Sequence, residues 1–161
     1  MNNVRYSEEA IARVIAERMG EESTALDLSR LDLHVLPESL SELAHLTELD
    51  LSDNQLTSLP QSLGNLTHLT KLDVSNNRLT ALPESLGNLT GLDALTARGN
   101  MLTGLPESLG RLVNLNWLSL EHNRLTALPE SLGGLTHLTR LNLYGNLLTS
   151  LPESLKGRFA S

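Results

Sequence analysis

Residues 69–91 read LTKLDVSNNRLTALPESLGNLTG, and this stretch decides the fold because the chain repeats it. The Leu-Pro pairs recur every 23 residues. Their prolines are Pro37, Pro60, Pro83, Pro106, Pro129 and Pro152. A column of asparagines keeps the same period at Asn54, Asn77, Asn100, Asn123 and Asn146. Six units in step predict a solenoid, in which stacking buries the leucines that one unit alone would leave exposed.

Each unit is predicted to contain a short strand, a turn and a short helical segment. In LTKLDVS, the apolar Leu72 and Val74 alternate with Lys71, Asp73 and Ser75, as in a half-buried strand. The Pro-Glu-Ser-Leu segment favours a helical or 3₁₀ turn, because the φ angle of proline is already set and its missing N–H is not needed there. Strands of successive units then pair in parallel.

The pattern Leu-x-x-Leu-x-Leu-x-x-Asn-x-Leu-x-x-Leu-Pro-x-x-Leu-x-x-Leu resembles the leucine-rich-repeat family over residues 23–159. It is most similar to the 23-residue units of bacterial members and of the intracellular Ras-group members. The resemblance implies an α/β leucine-rich-repeat solenoid, a curved right-handed coil. It places a parallel β-sheet on the concave face and short helical or 3₁₀ turns on the convex face. It also implies that the asparagines are buried and form a ladder with the backbone of adjacent coils.

The chain is predicted to divide into a cap, an array and a tail. Residues 1–22 form an N-terminal helical cap, and residues 160–161 are a tail. The six repeats are 23–45, 46–68, 69–91, 92–114, 115–137 and 138–159. Within the cap, residues 7–19 are predicted to form an amphipathic helix with Ser7 as N-cap. Because the end of a solenoid exposes its core, we expect this helix to cover the first repeat.

The other end breaks the pattern. After Leu155 the sequence is KGRFAS, with Arg158 at the position where leucine is due. Two interpretations remain: Phe159 and the neighbouring charges form a minimal lid, or the chain is cut from a longer protein. The last strand, predicted at Leu141–Tyr144, would then be an exposed edge, so we expect a homodimer through this end.

Composition excludes several classes of function. The net charge is −7, which disfavours nucleic acids and anionic membrane surfaces. The chain has no cysteine, so disulfides, thiolate metal sites and cysteine nucleophiles are excluded. The N-terminus has no signal-peptide pattern, and no stretch approaches the roughly 20 apolar residues of a membrane span. We therefore expect a cytoplasmic protein, or one delivered into a host cell without a signal peptide.

No grouping of residues indicates catalysis. The sequence has neither a Gly-rich phosphate loop nor a Gly-x-Ser-x-Gly motif. His45 and His68 fall on neighbouring coils, but Gly91 takes the next position of that column, and two imidazoles make a poor zinc site. A column of glutamates is predicted to be a solvated acidic ridge, formed by Glu38, Glu84, Glu107, Glu130 and Glu153. We predict no enzymatic activity, cofactor or metal.

The positions that alternate with the core leucines vary along the array. The strand residues at the third, fifth, seventh and eighth positions of each unit are expected to point out from the inner face. The N-terminal half of this face carries an acidic row, Asp27, Asp50 and Asp73. These charges should repel at a strand spacing near 4.8 Å. In the fourth unit Ala97 replaces a large core residue, which suggests a looser core or altered curvature.

The C-terminal half of the same face is predicted to bind a partner. It carries an exposed tryptophan and tyrosine, and Trp, Tyr and Arg dominate interface energies. The predicted partner-binding residues are Trp117, Tyr144, Arg98, Glu121, His122 and Arg140. Two alternatives are simpler: Arg98 pairs with Glu121 across adjacent strands, and Trp117 packs on Arg140 through a cation–π contact.

We therefore predict a protein–protein interaction module that binds a partner protein on its concave sheet. One alternative is the substrate-recognition fragment of a larger enzyme, such as a ubiquitin ligase effector or a Roco-type GTPase. The other is a designed or consensus scaffold, since LPESLGNLT recurs so closely. The varied face argues against that last alternative.

Overall fold

A computed structural model describes residues 7–20 and 22–159, so the predicted tail at 160–161 lies outside the described residues. The described part contains the α-helix α1 (Glu8–Arg18) and a set of three-residue strands. The strands are β1 (Ala25–Asp27), β2 (Glu48–Asp50), β3 (Lys71–Asp73), β4 (Ala94–Thr96), β5 (Trp117–Ser119) and β6 (Arg140–Asn142). Each strand belongs to one repeat.

The strands form a single parallel sheet in sequence order, β1 to β6. The register advances by one repeat at each step, so Leu49 pairs with Leu26 on one side and Leu72 on the other. A 3₁₀ turn follows the proline of each of the first five repeats, and these turns stack on one another. They are Glu38–Glu42, Gln61–Asn65, Glu84–Asn88, Glu107–Arg111 and Glu130–Gly134. The predicted leucine-rich-repeat solenoid is confirmed.

Leucines fill the space between the sheet and the 3₁₀ turns. The register neighbours Leu72, Leu95 and Leu118 are at most 1% exposed. Full burial of such a side chain contributes about 1.5–3 kcal/mol. Ala97 is also fully buried, and the strand register passes through its repeat unchanged. Nothing in the structure explains the small residue at this position.

The asparagine column forms the expected ladder. Asn77 Nδ2 donates to the carbonyl oxygens of Leu51 at 2.9 Å and Val74 at 3.0 Å, and its Oδ1 accepts from the Leu56 N–H at 3.0 Å. The same arrangement recurs at Asn54, Asn100, Asn123 and Asn146. The amides therefore satisfy backbone groups that the irregular turns leave unpaired.

Glycine in the 3₁₀ turns is required by close packing, which the sequence pattern did not reveal. A Cβ on Gly87 would lie 2.6 Å from both the carbonyl oxygen and the Cβ of Ser108 in the next repeat. Gly64 and Gly110 face the equivalent serines at similarly short distances. The repeats can stack at this spacing because these positions have no side chain.

At the N-terminal end, α1 covers the first repeat, as predicted. Ser7 caps the helix, and its Oγ accepts the Ala10 N–H at 3.2 Å. Ile11 and Ile15 are buried in the leucine core. Arg18 at the last turn donates to the carbonyl oxygen of Asp27 at 2.9 Å, which ties the helix to β1.

At the C-terminal end, the predicted strand Leu141–Tyr144 is too long. β6 ends at Asn142, and Tyr144 lies in the turn that follows. Arg158, at the position where leucine is due, donates to the carbonyl oxygens of Leu135 at 2.7 Å and Leu138 at 3.3 Å. Its guanidinium lies 5.4 Å from the ring centre of Phe159, which packs on the core. These two residues thus pack over part of the last repeat.

Candidate protein-binding site on the sheet

An open hollow of about 630 Å³ lies over the sheet, and we call it the sheet hollow. Arg18 of α1 lies at its N-terminal end and Trp117 at its C-terminal end. The first and third residues of β1 to β4, which are the third and fifth positions of their repeats, line the space between them. Trp117 is 42% exposed there, although large apolar side chains are usually buried. The outward side of the sheet is therefore accessible to a ligand.

The acidic row within the sheet hollow has a structural role. Asp27, Asp50 and Asp73 each accept, through Oδ1, the backbone N–H two residues later at 2.8 Å. Such bonds end a strand by offering its backbone a local partner. The expectation of repulsion between these charges therefore left out a second role, because each carboxylate also holds the turn after its own strand.

Cations next to the row compensate part of its charge. The Lys71 ammonium donates to a carboxylate oxygen of Glu48 at 2.8 Å, and this hydrogen bond raises the pKa of Lys71. The hydrogen bonds to Ser29, followed by the charges of Arg18 and Arg30, lower the pKa of Asp27. Asp27 and Glu48 thus have cationic neighbours, which leaves Asp50 and Asp73 as the remaining negative centre of the hollow.

Across the sheet, Trp117 has a short side chain as its neighbour on one strand and a long side chain on the other. Ala94 is its register partner on β4, and Arg140 is its register partner on β6. The cation–π contact predicted between Trp117 and Arg140 is not formed; among residues 7–20 and 22–159, the arginine placed over a ring is Arg158 over Phe159. Because alanine is short, the indole is left open toward the hollow.

The other predicted site residues meet in the turns after the strands. His122 and Tyr144 pack edge to face, with ring centres 5.4 Å apart and planes at 88°. Arg98 Nε lies 3.6 Å from a carboxylate oxygen of Glu121, which confirms the pairing expected across adjacent repeats. Tyr144 remains 74% exposed. We call Arg98, Glu121, His122 and Tyr144 the turn cluster.

The six predicted site residues therefore form two groups rather than one patch. Trp117 and Arg140 begin their strands, whereas the turn cluster lies beyond the strand ends. The prediction that the seventh and eighth positions belong to the strands was wrong, because every strand ends at the fifth position. Four residues of extended chain, at about 3.3 Å each, separate the two groups by about 13 Å.

The eighth position has a backbone constraint that sequence reasoning missed. It has positive φ in every repeat: Arg30, Asp53, Asn76, Gly99, His122 and Gly145. At Gly145 a Cβ would lie 2.6 Å from Nδ1 of His122, so glycine lets the last repeat close onto that imidazole. The recurrence of Asp, Asn and Gly in this column was the signal that could have revealed the turn.

The remaining polar columns serve the stacking of the coils. The Nδ1 atoms of His68 and His137 lie 2.9 and 2.8 Å from backbone carbonyl oxygens of the preceding coil. Glu130 accepts the N–H groups of Glu153 at 3.0 Å and Ser154 at 3.1 Å, so the glutamate ridge is more than a solvated surface. Within residues 7–20 and 22–159, no three His, Asp or Glu side chains converge as metal ligands.

Among the helices of the described residues, none has the length and apolar character needed to cross a membrane.

Comparison with known proteins identifies the repeat. A family model described as a leucine rich repeat matches residues 24–79, 44–102 and 67–125. A second model, described as leucine rich repeats in two copies, matches residues 113–157. No curated protein matched the chain as a relative.

Solved structures share the fold at substantial identity. A leucine-rich-repeat protein of Leptospira interrogans is 37% identical, with a TM-score of 0.81 over 90% of this chain and 36% of that one. A TDR receptor is 32% identical, with a TM-score of 0.81 over 92% of this chain and 27% of that one. The ectodomain of the Arabidopsis receptor kinase HAESA, in complex with an N-terminally extended IDA peptide hormone, is 33% identical. Its TM-score is 0.70 over 81% of this chain and 27% of that one.

This chain thus spans about a third of the length of those structures, or less. Together the family models cover residues 24–157, which include all six strands and all five asparagines of the ladder. The chain belongs to the leucine-rich-repeat family.

Proposed function

We propose that this protein is an interaction module that binds a partner protein on its sheet, with Trp117 as the principal contact. The observation that carries the proposal is the exposed indole at the end of the sheet hollow, beside the short side chain of Ala94. Tryptophan is among the residues that contribute most to interfaces when a partner covers them.

The shape of the hollow favours a narrow ligand. Six strands about 4.8 Å apart make a strip about 24 Å long, which matches about seven residues of extended chain. A short extended segment or a small folded surface of a partner would fill it. The peptide hormone bound to the HAESA ectodomain supports this class of partner. An interface of this size is small, so we expect moderate affinity.

The turn cluster offers a second contact about 13 Å from Trp117 along the strand direction. A partner segment that crosses β5 and β6 would meet Trp117 and Arg140 first, then the exposed ring of Tyr144. If the chain is the recognition part of a larger enzyme, the same face would hold the substrate. The Leptospira likeness supports a bacterial type of repeat, and a cysteine-free chain suits the cytoplasm.

The test is affinity capture from cell extract with the wild-type chain beside Trp117→Ala, read by mass spectrometry and followed by titration of the captured protein. We expect Trp117→Ala to weaken binding about 30-fold or more, since a central tryptophan contributes about 2 kcal/mol or more. The melting temperature should be unchanged, because the side chain is exposed.

Val113→Ala is the matched control, because Val113 is 44% exposed but does not line the sheet hollow. It should bind like the wild type. A Trp117→Ala variant whose melting temperature is several degrees lower, but which captures the same partner with equal affinity, would show that the indole is structural. That result would contradict the proposal.

A further inference from the structure

We propose that the sheet hollow binds an extended basic segment of the partner protein, with an arginine side chain between Asp50 and Asp73 and a large apolar side chain against Trp117. This inference rests on the proposed function, since it concerns the ligand of the same surface. The residues that carry it belong to the inner strands β2 to β5.

The charges that line the sheet hollow are not balanced. Four carboxylates and two cations line it, so the hollow has an excess of two negative charges. Arg18 lies 4.0 Å from a carboxylate oxygen of Asp27, and Lys71 donates to Glu48 at 2.8 Å. Both cations therefore already have an acidic partner. The excess charge belongs to the other two aspartates of the acidic row.

The carboxylates of Asp50 and Asp73 each have an oxygen available to a ligand. Their hydrogen bonds within residues 7–20 and 22–159 use Oδ1 only, to hold the turns. Both side chains are half-buried and line the hollow. The two residues are register partners on β2 and β3, whose backbones are about 4.8 Å apart. Like charges at this spacing repel, and a cation between them would relieve the repulsion.

The turns after the strands do not need this negative charge. Asn142 has the same repeat position on β6, and its Oδ1 accepts the N–H of Tyr144 at 3.2 Å. The same position is also neutral on β4 and β5, where it is Thr96 and Ser119. Because a neutral side chain can hold the same turn, the structural role does not account for the paired charges on β2 and β3.

The other end of the sheet hollow is uncharged. Ala94, Thr96 and Trp117 line it, and the short side chain of Ala94 leaves space beside the exposed indole. An apolar side chain of a ligand that packs in this space would remove the indole from water. We call Asp50 and Asp73 the acidic subsite, and Ala94 and Trp117 the apolar subsite.

The distance between the two subsites fits one extended chain. Asp73 and Trp117 are two strands apart, which is about 10 Å, and their repeat positions differ by about 7 Å along the strands. The subsites are therefore about 12 Å apart. Side chains four residues apart on one face of an extended chain are about 13 Å apart. A segment with a basic residue four positions from a large apolar residue thus fits both subsites.

Arginine is the basic residue that suits the acidic subsite best. Its planar guanidinium carries several N–H donors, bonds two carboxylates at once and stays charged at physiological pH. Lysine supplies the same charge at a single point, so it should bind more weakly. Acidic or phosphorylated segments are disfavoured because they add to the negative charge of the hollow.

The test begins with a random heptapeptide library displayed on phage and selected against the full wild-type chain. We expect the enriched peptides to carry arginine, and less often lysine, about four positions from a large apolar residue. The peptide enriched most strongly is then synthesised and titrated against the wild type and its variants by fluorescence anisotropy.

The double variant Asp50→Asn with Asp73→Asn removes the charge and keeps the oxygen that holds the turn, as Asn142 does. It should bind the peptide about tenfold or more weakly, because hydrogen bonds to charged groups are lost. Added salt should weaken binding to the wild type and have little effect on binding to the double variant.

The matched control is Glu84→Gln with Glu107→Gln, which changes the net charge equally on 3₁₀ turns outside the sheet hollow. It should bind the peptide and respond to salt like the wild type. An equal loss of affinity in the control would show that only the net charge of the chain matters, and would overturn the inference.

Three further results would also overturn the inference. They are enriched peptides without a basic residue, a selection that enriches no peptide, and equal affinity of the aspartate double variant and the wild type. None of them affects the proposed function if Trp117→Ala still loses the partner captured from extract. Basic peptides that bind Trp117→Ala as tightly as the wild type would contradict both the proposed function and the inference that rests on it.

Discussion

The fourth and sixth repeats follow the same sequence pattern but differ in how deeply that pattern is buried. Leu95 and Leu141 occupy the same position, and Leu95 is fully buried whereas Leu141 is only half-buried. Asn100 is 7% exposed, and Asn146 is again only partly buried. The difference comes from the coil that follows the fourth repeat, so a repeat of this family completes its core only with neighbours on both sides.

The comparison predicts an uneven distribution of stability along the array. In a solenoid the free energy of unfolding is approximately a sum of repeat terms and of contacts between neighbours. Among the described residues, the sixth repeat has one such contact where the fourth has two, so it should open first in this chain. Mutations that remove the same atoms from the two repeats can measure how much the second neighbour contributes.

The largest effect is expected in the leucine core. Leu95→Ala should lower the free energy of unfolding by about 2–5 kcal/mol, since it leaves a cavity between two packed coils. Leu141→Ala should cost less than about 1.5 kcal/mol, because a half-buried side chain has less apolar surface to lose and solvent can fill the gap. Urea unfolding followed by circular dichroism, in dilute solution, measures both values. Equal costs for Leu95→Ala and Leu141→Ala in dilute solution would contradict the idea that the second neighbour completes the core.

The asparagine ladder should show the next largest difference. Asn100→Ala leaves the Leu79 N–H and the Val74 carbonyl oxygen without their amide partner inside the core. Each unsatisfied buried group costs about 1–3 kcal/mol. Asn146→Ala removes bonds of the same kind in the sixth repeat, where water can replace them. In thermal unfolding, the melting temperature of Asn100→Ala should be well below that of Asn146→Ala. The reverse order would contradict the burial of the ladder.

The smallest effect concerns the tie between the fifth and sixth repeats. Glu130 accepts backbone N–H groups of Ser154 and Glu153, and these bonds lower its pKa below the ordinary value of 4.5. A carboxyl group with a lowered folded-state pKa stabilises the fold above its unfolded pKa. This stabilisation is lost as the pH falls through the folded value.

Glu130→Gln should therefore lower the melting temperature slightly near neutral pH, and the difference from wild type should shrink below about pH 4.5. Glu107→Gln is the control, because Glu107 has the same repeat position but accepts no such backbone bond within the described part of the chain. A difference that grows toward acid pH would contradict the assigned role of Glu130.

Much of the fold could be predicted because its determinants repeat. The Leu-Pro period and the asparagine column predict the solenoid, the parallel sheet and the ladder, and Ser7 with the apolar stripe after it predicts the cap. These features follow from periodic burial, in which each repeat imposes the same demand on its neighbours. The pairing of Arg98 with Glu121 was also predictable, since both residues have the same repeat position in adjacent coils.

The candidate site was predicted less completely. Composition and alternation singled out Trp117 and Tyr144, but they do not reveal that the strand ends at the fifth position and separates the two. That end depends on the hydrogen bonds from Asp27, Asp50 and Asp73 and on the positive φ angles that follow. From the sequence, the acidic row was therefore interpreted only as a source of charge repulsion, whereas its carboxylates also hold the turns after the strands.

The sequence by itself determined the repeat, the class of fold and the residues that remain outside the core, because these follow from which positions keep leucine and asparagine. The tertiary structure decided which outward residues meet. It separates Trp117 from Tyr144 and brings Tyr144 onto His122. Among the described residues, it gives the N–H groups of Leu143 and Gly145 no acceptor, although their equivalents in the first five repeats have one. Those relations depend on where each coil turns and on whether another coil follows, and no single repeat encodes the presence of its neighbour.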